Sequence, residues 1–113
     1  MRKLNIGTDK LTVVFSDNEQ AVSEYTIVSA EDPGRIFATL SFQDGPIKEA
    51  GINGCHNEDL IAIVLDRLTF FQQGPFSCRE NALAITKLEE ALHWLNHRTQ
   101  ERIRRGIEGT HTA

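Results

Sequence analysis

The spacing of apolar residues changes once along this chain, near residue 57, and that change most limits the folds the chain can adopt. Before residue 57, apolar residues tend to alternate with polar ones, which is the pattern of a strand with one covered face. After it they recur every three or four residues, which is the pattern of an amphipathic helix. The pattern therefore predicts an α+β chain with a sheet first and helices second.

The first part of the chain predicts an antiparallel β-meander. Its strands are predicted at residues 11–15, 22–28 and 35–42, with a short edge strand at 3–6 and a crossing loop at 45–54. The turn between the second and third main strands is predicted at Asp32-Pro-Gly34, because these residue types favour tight turns. The third strand carries on one face Ile36, Ala38, Leu40 and Phe42.

The second part predicts two helices joined by about five residues, hence an antiparallel helical hairpin. The first is predicted to follow an N-cap at Asn57 and to stop before Gly74-Pro75. The second runs from near Ser77 or Cys78 to about Arg105, with Gly106 as its C-cap. One seam of the second helix carries Ile85, Leu88, Leu92 and Leu95.

The length of the second helix predicts an assembly of several copies. At about 1.5 Å per residue it is roughly 40 Å long, whereas a compact domain of this size is roughly 34 Å across. The far end of the helix therefore needs a partner surface, and a second copy of the chain is the simplest one.

Length and charge set further limits. A chain of 113 residues predicts a single domain, 1–113, with the sheet in 1–52 and the hairpin in 53–113. The net charge of −4 argues against a duplex-DNA binder, which must neutralise many phosphates. We expect no membrane span and no signal peptide, since the first apolar stretch breaks at Gly7. Cys55 and Cys78 are predicted to be free thiols in a reducing compartment.

The end of the second helix is rich in arginine. Residues 97–106 hold four Arg and one Glu, which leaves +3. Arg98, Arg102 and Arg105 fall within about 60° of one another on the helix, on the side of Trp94. Two interpretations stay open: guanidinium groups that bind phosphate, or a solvated helix end in which Glu101 pairs with Arg105.

Two features near the hairpin turn suit a nucleobase, and each also has an ordinary interpretation. Phe70 and Phe71 are adjacent and cannot both face the core, so one is available to stack on a base. The Asn81 amide is able to pair with an adenine edge. Otherwise these residues are core aromatics and a polar residue at a helix end.

No pattern in the sequence favours catalysis or a metal. His93 and His97 share a helical face, but no further ligand nearby completes a zinc site, and His111 lies beyond them. Glu89 and Glu90 diverge on a helix, which disfavours paired acid–base chemistry. We therefore expect no enzyme activity, no cofactor and no metal.

Several ordered motifs from residue 53 to residue 111 resemble the helical hairpin of phage anti-defence proteins that counter Thoeris and CBASS immunity. These motifs are Asn53-Gly-Cys-His-Asn-Glu-Asp-Leu60, Ile63-Val-Leu-Asp-Arg-Leu68, Phe71-Gln-Gln-Gly-Pro-Phe-Ser-Cys-Arg-Glu-Asn-Ala82, Leu88-Glu-Glu-Ala-Leu-His-Trp-Leu95, Arg98-Thr99 and Arg105-Gly-Ile-Glu-Gly-Thr110. The anti-CBASS group is little more than the hairpin, whereas the anti-Thoeris group carries a sheet before it. The chain is therefore similar to the anti-Thoeris sponges.

The resemblance implies sequestration of a nucleotide signal without its degradation. It implies binding of cyclic ADP-ribose isomers made by TIR enzymes, or of CBASS cyclic di- or trinucleotides, between subunits of a homo-oligomer, commonly a hexamer. By the same resemblance, Phe71 stacks on the base, Asn81 hydrogen-bonds it, and Arg98 and Arg104 reach the phosphates and ribose. The resemblance also implies a second cyclic-nucleotide pocket, lined by Arg79, Arg102, Arg105, Gly109 and Thr110.

The resemblance also places the protein in the cytoplasm of an infected bacterial host, with no DNA or membrane partner. Whether residues 1–52 contact the ligand is an open question at this point, and Arg35 is one candidate for such a contact. Two other functions compete with sequestration. One is an enzyme that cleaves the same signal, with His93, His97 or Glu101 as acid or base. The other is a structural or regulatory interaction subunit whose Arg cluster binds an acidic partner.

Overall fold

The structure is a computed structural model that describes residues 2–5, 11–17 and 23–106. It divides the chain into two compact units, Met1–Cys55 and His56–Ala113. The first unit holds the sheet and the second holds the helical hairpin, so the predicted α+β order is confirmed. The prediction of one domain stays a prediction. None of the described helices is both long enough and apolar enough to cross a membrane.

The first unit is a four-stranded antiparallel meander, as predicted. The strands are β1 (Arg2–Lys3), β2 (Thr12–Ser16), β3 (Glu24–Ser29) and β4 (Ile36–Ser41), and they lie in this order across the sheet. The register pairs Val14 of β2 with Ile27 of β3, and Ile27 with Ala38 of β4. Ile6 and Val22, which the predicted strands include, lie outside the described residues.

Strand β4 departs from the predicted face because its register shifts. Ile27 pairs with Ala38, but Val28 pairs with Ile36, so Phe37 is an extra residue in β4. An extra residue in one strand resets the alternation of side chains. Ala38 and Leu40 are accordingly half-buried, whereas Ile36 is 59% exposed. The prediction that Ile36 shares their covered face is wrong for this reason.

The predicted turn between β3 and β4 is confirmed, and its hydrogen bonds explain it. The Asp32 carboxylate accepts from the Gly34 N–H at 3.2 Å, and the Arg35 N–H donates to the Asp32 carbonyl at 2.9 Å. The Ser29 hydroxyl accepts from the Asp32 N–H at 3.2 Å. A short carboxylate that accepts from the backbone two residues on is what favours Asp at such a turn.

The segment after β4 contains a helix that the sequence analysis missed. Helix α1 (Ile47–Ala50) lies inside the predicted loop 45–54. Two side chains hold the segment together. Gln43 Nε2 donates to the Gly51 carbonyl at 2.8 Å, and Asn53 Nδ2 donates to the Asp44 carbonyl at 2.7 Å. The chain then returns to β4, where Cys55 forms a parallel bridge with Phe42.

The second unit consists of α2 (Asn57–Gln72) packed against α3 (Arg79–Arg104), which confirms the helical hairpin. Helix α2 is capped by His56 and not by Asn57 as predicted, because the Asp59 carboxylate accepts the His56 N–H at 2.8 Å. Gly106 follows the C-cap of α3 with a φ of 74°, the left-handed conformation that glycine adopts at helix ends. The predicted seam of α3 is half-buried at Ile85, Leu88, Leu92 and Leu95.

Few described side chains are fully buried. In the described residues, only Val28 and Ser16 fall in the buried class. Large apolar side chains are instead exposed on both helices, including Ile63, Trp94 and Ile103. Monomeric proteins rarely expose extensive apolar surface, and such surface commonly marks a site of association.

Candidate ligand-binding site

The turn between α2 and α3 is held by one side chain that spans it. Gln72 Nε2 donates to the Cys78 carbonyl at 2.9 Å, and the Cys78 N–H donates back to Gln72 Oε1 at 3.0 Å. These two bonds mimic a pair of backbone hydrogen bonds and close the segment 73–77. The residues inside this closed segment, among them Phe76, are thereby fixed against the end of α2.

Three phenylalanines meet at this turn. The Phe71 and Phe76 ring centroids are 6.0 Å apart with planes at 75°, and those of Phe70 and Phe71 are 6.4 Å apart at 65°. Phe70 is 72% exposed and Phe76 is 70% exposed, whereas Phe71 is half-buried. Phe71 was the predicted stacking residue. Phe76 was not predicted, and its only sign in the sequence is an aromatic residue directly after Gly74-Pro75.

Asn81 lies in the first turn of α3 beside these rings. Its backbone N–H donates to the sulfur of the N-cap, Cys78, at 3.4 Å. Its side-chain Nδ2 donates to the Phe76 carbonyl at 3.4 Å, which is a long and hence weak hydrogen bond. Asn81 and Phe71 are therefore placed at the same end of the hairpin, with polar and aromatic groups side by side. That combination suits a flat polar ring.

Phe71 has a cationic neighbour that the sequence analysis did not single out. The Arg67 guanidinium lies over the Phe71 ring, 4.7 Å from its centroid. The two residues are four apart on α2, a spacing that places side chains on one helical face. Because this spacing is visible in the sequence, the contact between Arg67 and Phe71 could have been predicted from it. Only the structure shows that the side chains adopt the rotamers that bring them together.

The arginine-rich end of α3 contains both a tethered and an untethered guanidinium. Arg104 Nε donates to Glu101 Oε2 at 3.3 Å, and Arg104 Nη2 donates to the other oxygen of the same carboxylate. Arg98 is exposed, and its side chain has no hydrogen bond or ion pair within the described part of the chain. The two arginines predicted to contact phosphate therefore differ in how freely they can turn toward a ligand.

The Glu101–Arg104 pair shifts both ionisation equilibria. The hydrogen bond from Arg104 lowers the pKa of Glu101. Burial acts in the opposite direction, and the charges of Arg104, His97 and Arg105 lower the pKa further. The same hydrogen bond raises the pKa of Arg104. Glu101 is thus hydrogen-bonded to Arg104, three residues further along the helix, and the charge of Arg105 also lowers its pKa.

The residues predicted for a second pocket are spread along α3. Arg79 is its first residue and is exposed, Arg102 is half-buried in its last turn, and Arg105 is exposed just beyond it. Gly109 and Thr110 lie outside the described residues. The structure therefore leaves this pocket as a prediction.

One chain cannot bring the whole predicted site together. Asn81 and Arg98 are 17 residues apart on the single helix α3, which at about 1.5 Å per residue is roughly 25 Å. That separation exceeds the reach of side chains toward one small ligand. The hairpin therefore carries two half-sites, one at each end of α3: Phe71 with Asn81, and Arg98 with Arg104.

A second aromatic group lies midway along α3, between the half-sites. The His93 and His97 rings are nearly parallel with centroids 6.5 Å apart, and Trp94 meets each of them edge-on. Within residues 2–5, 11–17 and 23–106, no three His, Cys, Asp or Glu side chains group closely enough to hold a metal ion. The exposed ring of Trp94 instead adds to the apolar surface of the helix.

The sheet followed by the helical hairpin defines the class of the chain as α+β, with the hairpin as its second unit. A family model described as "Acb2/Tad1, hairpin domain" matches residues 38–100, more than half of the chain. The chain therefore belongs to the Acb2/Tad1 hairpin-domain family. The match begins inside β4, well before residue 53, where the sequence analysis placed the start of the resemblance.

A curated relative carries the comparison further. Thoeris anti-defense 1 of Bacillus phage SBSphiJ7 is 61% identical to this chain over 84 residues, which is 74% of this chain and 59% of the relative. The aligned region therefore spans less than two thirds of that relative's length.

Proposed function

We propose that this protein is a phage anti-defence protein that binds and sequesters a nucleotide immune signal in the cytoplasm of the infected host. The observation that carries the proposal is the 61% identity to a protein named Thoeris anti-defense 1. The signal is a cyclic ADP-ribose isomer made by a TIR enzyme, and the protein holds it without degrading it. Cyclic di- or trinucleotides are further candidate ligands for the second predicted pocket.

The half-site at the hairpin turn supplies the groups that recognise a base. Phe71 offers an aromatic face, and base stacking on such a face contributes about 1–3 kcal/mol. The Asn81 amide offers both a donor and an acceptor for a base edge. Its only side-chain bond within the described residues is the long one to Phe76, so it can reorient at little cost.

The other half-site supplies the groups that recognise phosphate. Arg98 and Arg104 present guanidinium forks that match phosphate oxygens. Because about 25 Å of helix separates them from Asn81, the complete site is formed by the turn of one chain and the α3 end of another. The exposed apolar side chains of both helices support such an assembly. The proposed assembly is a hexamer, the state that the family resemblance implies.

Calorimetry against glyco-cyclic ADP-ribose isomers and cyclic di- and trinucleotides, followed by chromatography of the mixture, tests the proposal. Sequestration predicts tight binding and recovery of intact ligand after the protein is denatured by heat. Catalytic loss of excess ligand would establish an enzyme instead. The absence of binding to every compound would contradict sequestration and favour an interaction subunit with an acidic partner.

Arg98→Gln is expected to weaken ligand binding, and the loss is expected to shrink as salt is added. The exposed guanidinium acts partly through its charge, which ions screen over about 10 Å at 0.1 M salt. Calorimetry at 0.05 M and 0.5 M NaCl measures the difference. Lys87→Gln, which removes a positive charge elsewhere on α3, is the control and should leave affinity unchanged. Equal losses at both salt concentrations would show that Arg98 does not contact the phosphate.

Glu101→Gln is expected to strengthen ligand binding by about two- to fivefold, because it frees Arg104 from an exposed ion pair. Glu89→Gln removes an acidic charge from the same helix without releasing an arginine, and it should have no effect. Both affinities are measured by calorimetry at neutral pH. A loss of affinity in Glu101→Gln would mean that Glu101 positions Arg104 and does not compete for it.

The pH dependence of the Glu101–Arg104 pair follows from the lowered pKa of Glu101. The contribution of the pair to helix stability is complete above the ordinary carboxyl pKa and is lost as the pH falls through the lowered value. Acid titration followed by circular dichroism should therefore show less acid-induced loss of helix in Glu101→Gln, relative to its value at pH 7, than in the wild type.

A further inference from the structure

One face of Phe71, the ring proposed to hold the base, is covered by Arg67. The guanidinium carbon lies 4.7 Å from the ring centroid. The two other phenylalanines at the turn meet this ring at 65° and 75°, so neither lies flat on it. The flat contact that a base would make is therefore made in this structure by Arg67.

We infer that Arg67 is a ligand-contacting residue that gives up the Phe71 face to the base and closes over the far side of that base. The inference rests on the proposed function and adds a recognition group to it. The bound base then lies between the Phe71 ring and the Arg67 guanidinium. Arg67 thus protects the aromatic face when no ligand is present and clamps the ligand when it is.

The geometry requires only a short displacement. Stacked carbon atoms contact at about 3.5 Å, so two such layers separate the outer groups by about 7 Å. The present separation is 4.7 Å, and Arg67 must therefore retreat by roughly 2 Å. Rotation about the bonds of its long aliphatic stem supplies that distance, since Arg67 is exposed.

The electrostatic surroundings leave Arg67 free to make this movement. Within the described part of the chain, no carboxylate forms an ion pair with Arg67. Arg104, in contrast, is tethered to Glu101 by two hydrogen bonds. The attraction that holds Arg67 in place is its contact with the Phe71 ring, and a base replaces that contact with an equivalent one.

A guanidinium suits this role better than an ammonium does. It is planar, it stacks on aromatic faces, and it is more weakly hydrated than the head group of lysine. Its charge also favours an anionic nucleotide over the neutral nucleoside with the same base. The inference therefore names the ligand class of this half-site as a phosphate-bearing nucleotide with an aromatic base.

Calorimetry of Arg67→Gln and Arg67→Lys against glyco-cyclic ADP-ribose tests the inference, with Lys87→Gln as the charge-matched control. Arg67→Gln should lower affinity by about tenfold, in keeping with a partly desolvated cation–π contact. Arg67→Lys keeps the charge but not the planar group, and it should recover only part of the loss. Circular dichroism and gel filtration establish that each variant keeps its fold and assembly.

The outcomes separate this inference from the proposed function. A wild-type protein that binds, with Arg67→Gln as tight as Lys87→Gln, would overturn the role of Arg67 and leave sequestration standing. Full affinity in Arg67→Lys would overturn the sandwich, because a charge alone would then suffice. A wild-type protein that binds none of the nucleotides would overturn sequestration, and the role of Arg67 with it.

Discussion

Phe71→Ala combined with Asn81→Ala is expected to lower the affinity for glyco-cyclic ADP-ribose steeply, to no detectable binding at the upper end of the range, while the helical hairpin and its assembly persist. Loss of base stacking costs about 1–3 kcal/mol, and loss of a hydrogen bond to the base costs about 0.5–1.5 kcal/mol. Together these predict a fall in affinity of roughly tenfold to a thousandfold. Calorimetry with the purified double variant measures it.

The structure indicates that this double variant keeps its fold. Asn81 donates its backbone N–H to Cys78, a bond that alanine retains, and loses only the long side-chain bond to Phe76. Gln72 continues to close the turn through Cys78. Phe71 is half-buried, so its truncation removes some packing. Phe71→Leu is therefore a second variant, because it keeps apolar volume and removes only the aromatic face.

Ile63→Ala is the matched control for this experiment. Ile63 lies on α2 two turns before Phe71 and is exposed, so its truncation removes apolar surface without touching the turn. Undiminished affinity in both Phe71→Leu and the double variant would place the ligand elsewhere. Loss of affinity in Ile63→Ala as well would show that the apolar surface of α2, and not the Phe71 ring, governs binding.

Gly54→Ala is expected to destabilise the sheet unit by about 1–3 kcal/mol, the usual cost of forcing atoms into occupied space. A β-carbon at Gly54 would lie 2.5 Å from the Phe42 carbonyl oxygen and 2.7 Å from the Gln43 nitrogen. Both atoms belong to the backbone, so no side-chain rotation relieves the clash. The segment that returns to β4 would have to move away from it.

Two measurements check the effect of Gly54→Ala. Urea unfolding gives the change in the free energy of unfolding. The Cys55 N–H donates to the Ser41 carbonyl at 2.9 Å, and faster hydrogen exchange of this amide would show that the returning segment has moved away from β4. Gly34→Ala is the control, because its β-carbon would meet only the Asp32 carboxylate at 3.4 Å, an ordinary contact distance. Equal stability of the two variants would show that the segment 43–55 shifts without cost.

Much of the fold was predictable because the covered face of a strand or helix requires apolar residues at a regular spacing in the sequence. The alternation before residue 57 predicted the meander, and the three-and-four spacing of Ile85, Leu88, Leu92 and Leu95 predicted a half-buried face of α3. The turn residues Asp32-Pro-Gly34 and Gly74-Pro75 correctly marked the turn between β3 and β4 and the turn between α2 and α3. Residues of these types favour turns wherever they occur. The bulge at Phe37 and the helix α1 left no comparable signal.

The candidate site was predictable in its residue types and not in its arrangement. Phe71, Asn81 and Arg98 were recognisable because aromatic, amide and guanidinium groups are suited to a nucleotide whatever the fold. Their partners were not, since Glu101 has Arg98, Arg104 and Arg105 within three or four residues along the helix and forms its hydrogen bonds with Arg104. Choices of that kind depend on rotamers and on small differences in distance.

The sequence by itself thus determined the order of sheet and hairpin, the ends of the long helices to within a residue or two, and the presence of groups able to bind a base and a phosphate. The tertiary structure alone decided that Gln72 closes the turn, that Arg67 covers Phe71, and that Glu101 tethers Arg104. The physical reason is the distance along the chain over which each kind of interaction acts. Periodicity and turn chemistry act within a few residues of the chain, whereas these contacts depend on where the packed helices bring each side chain.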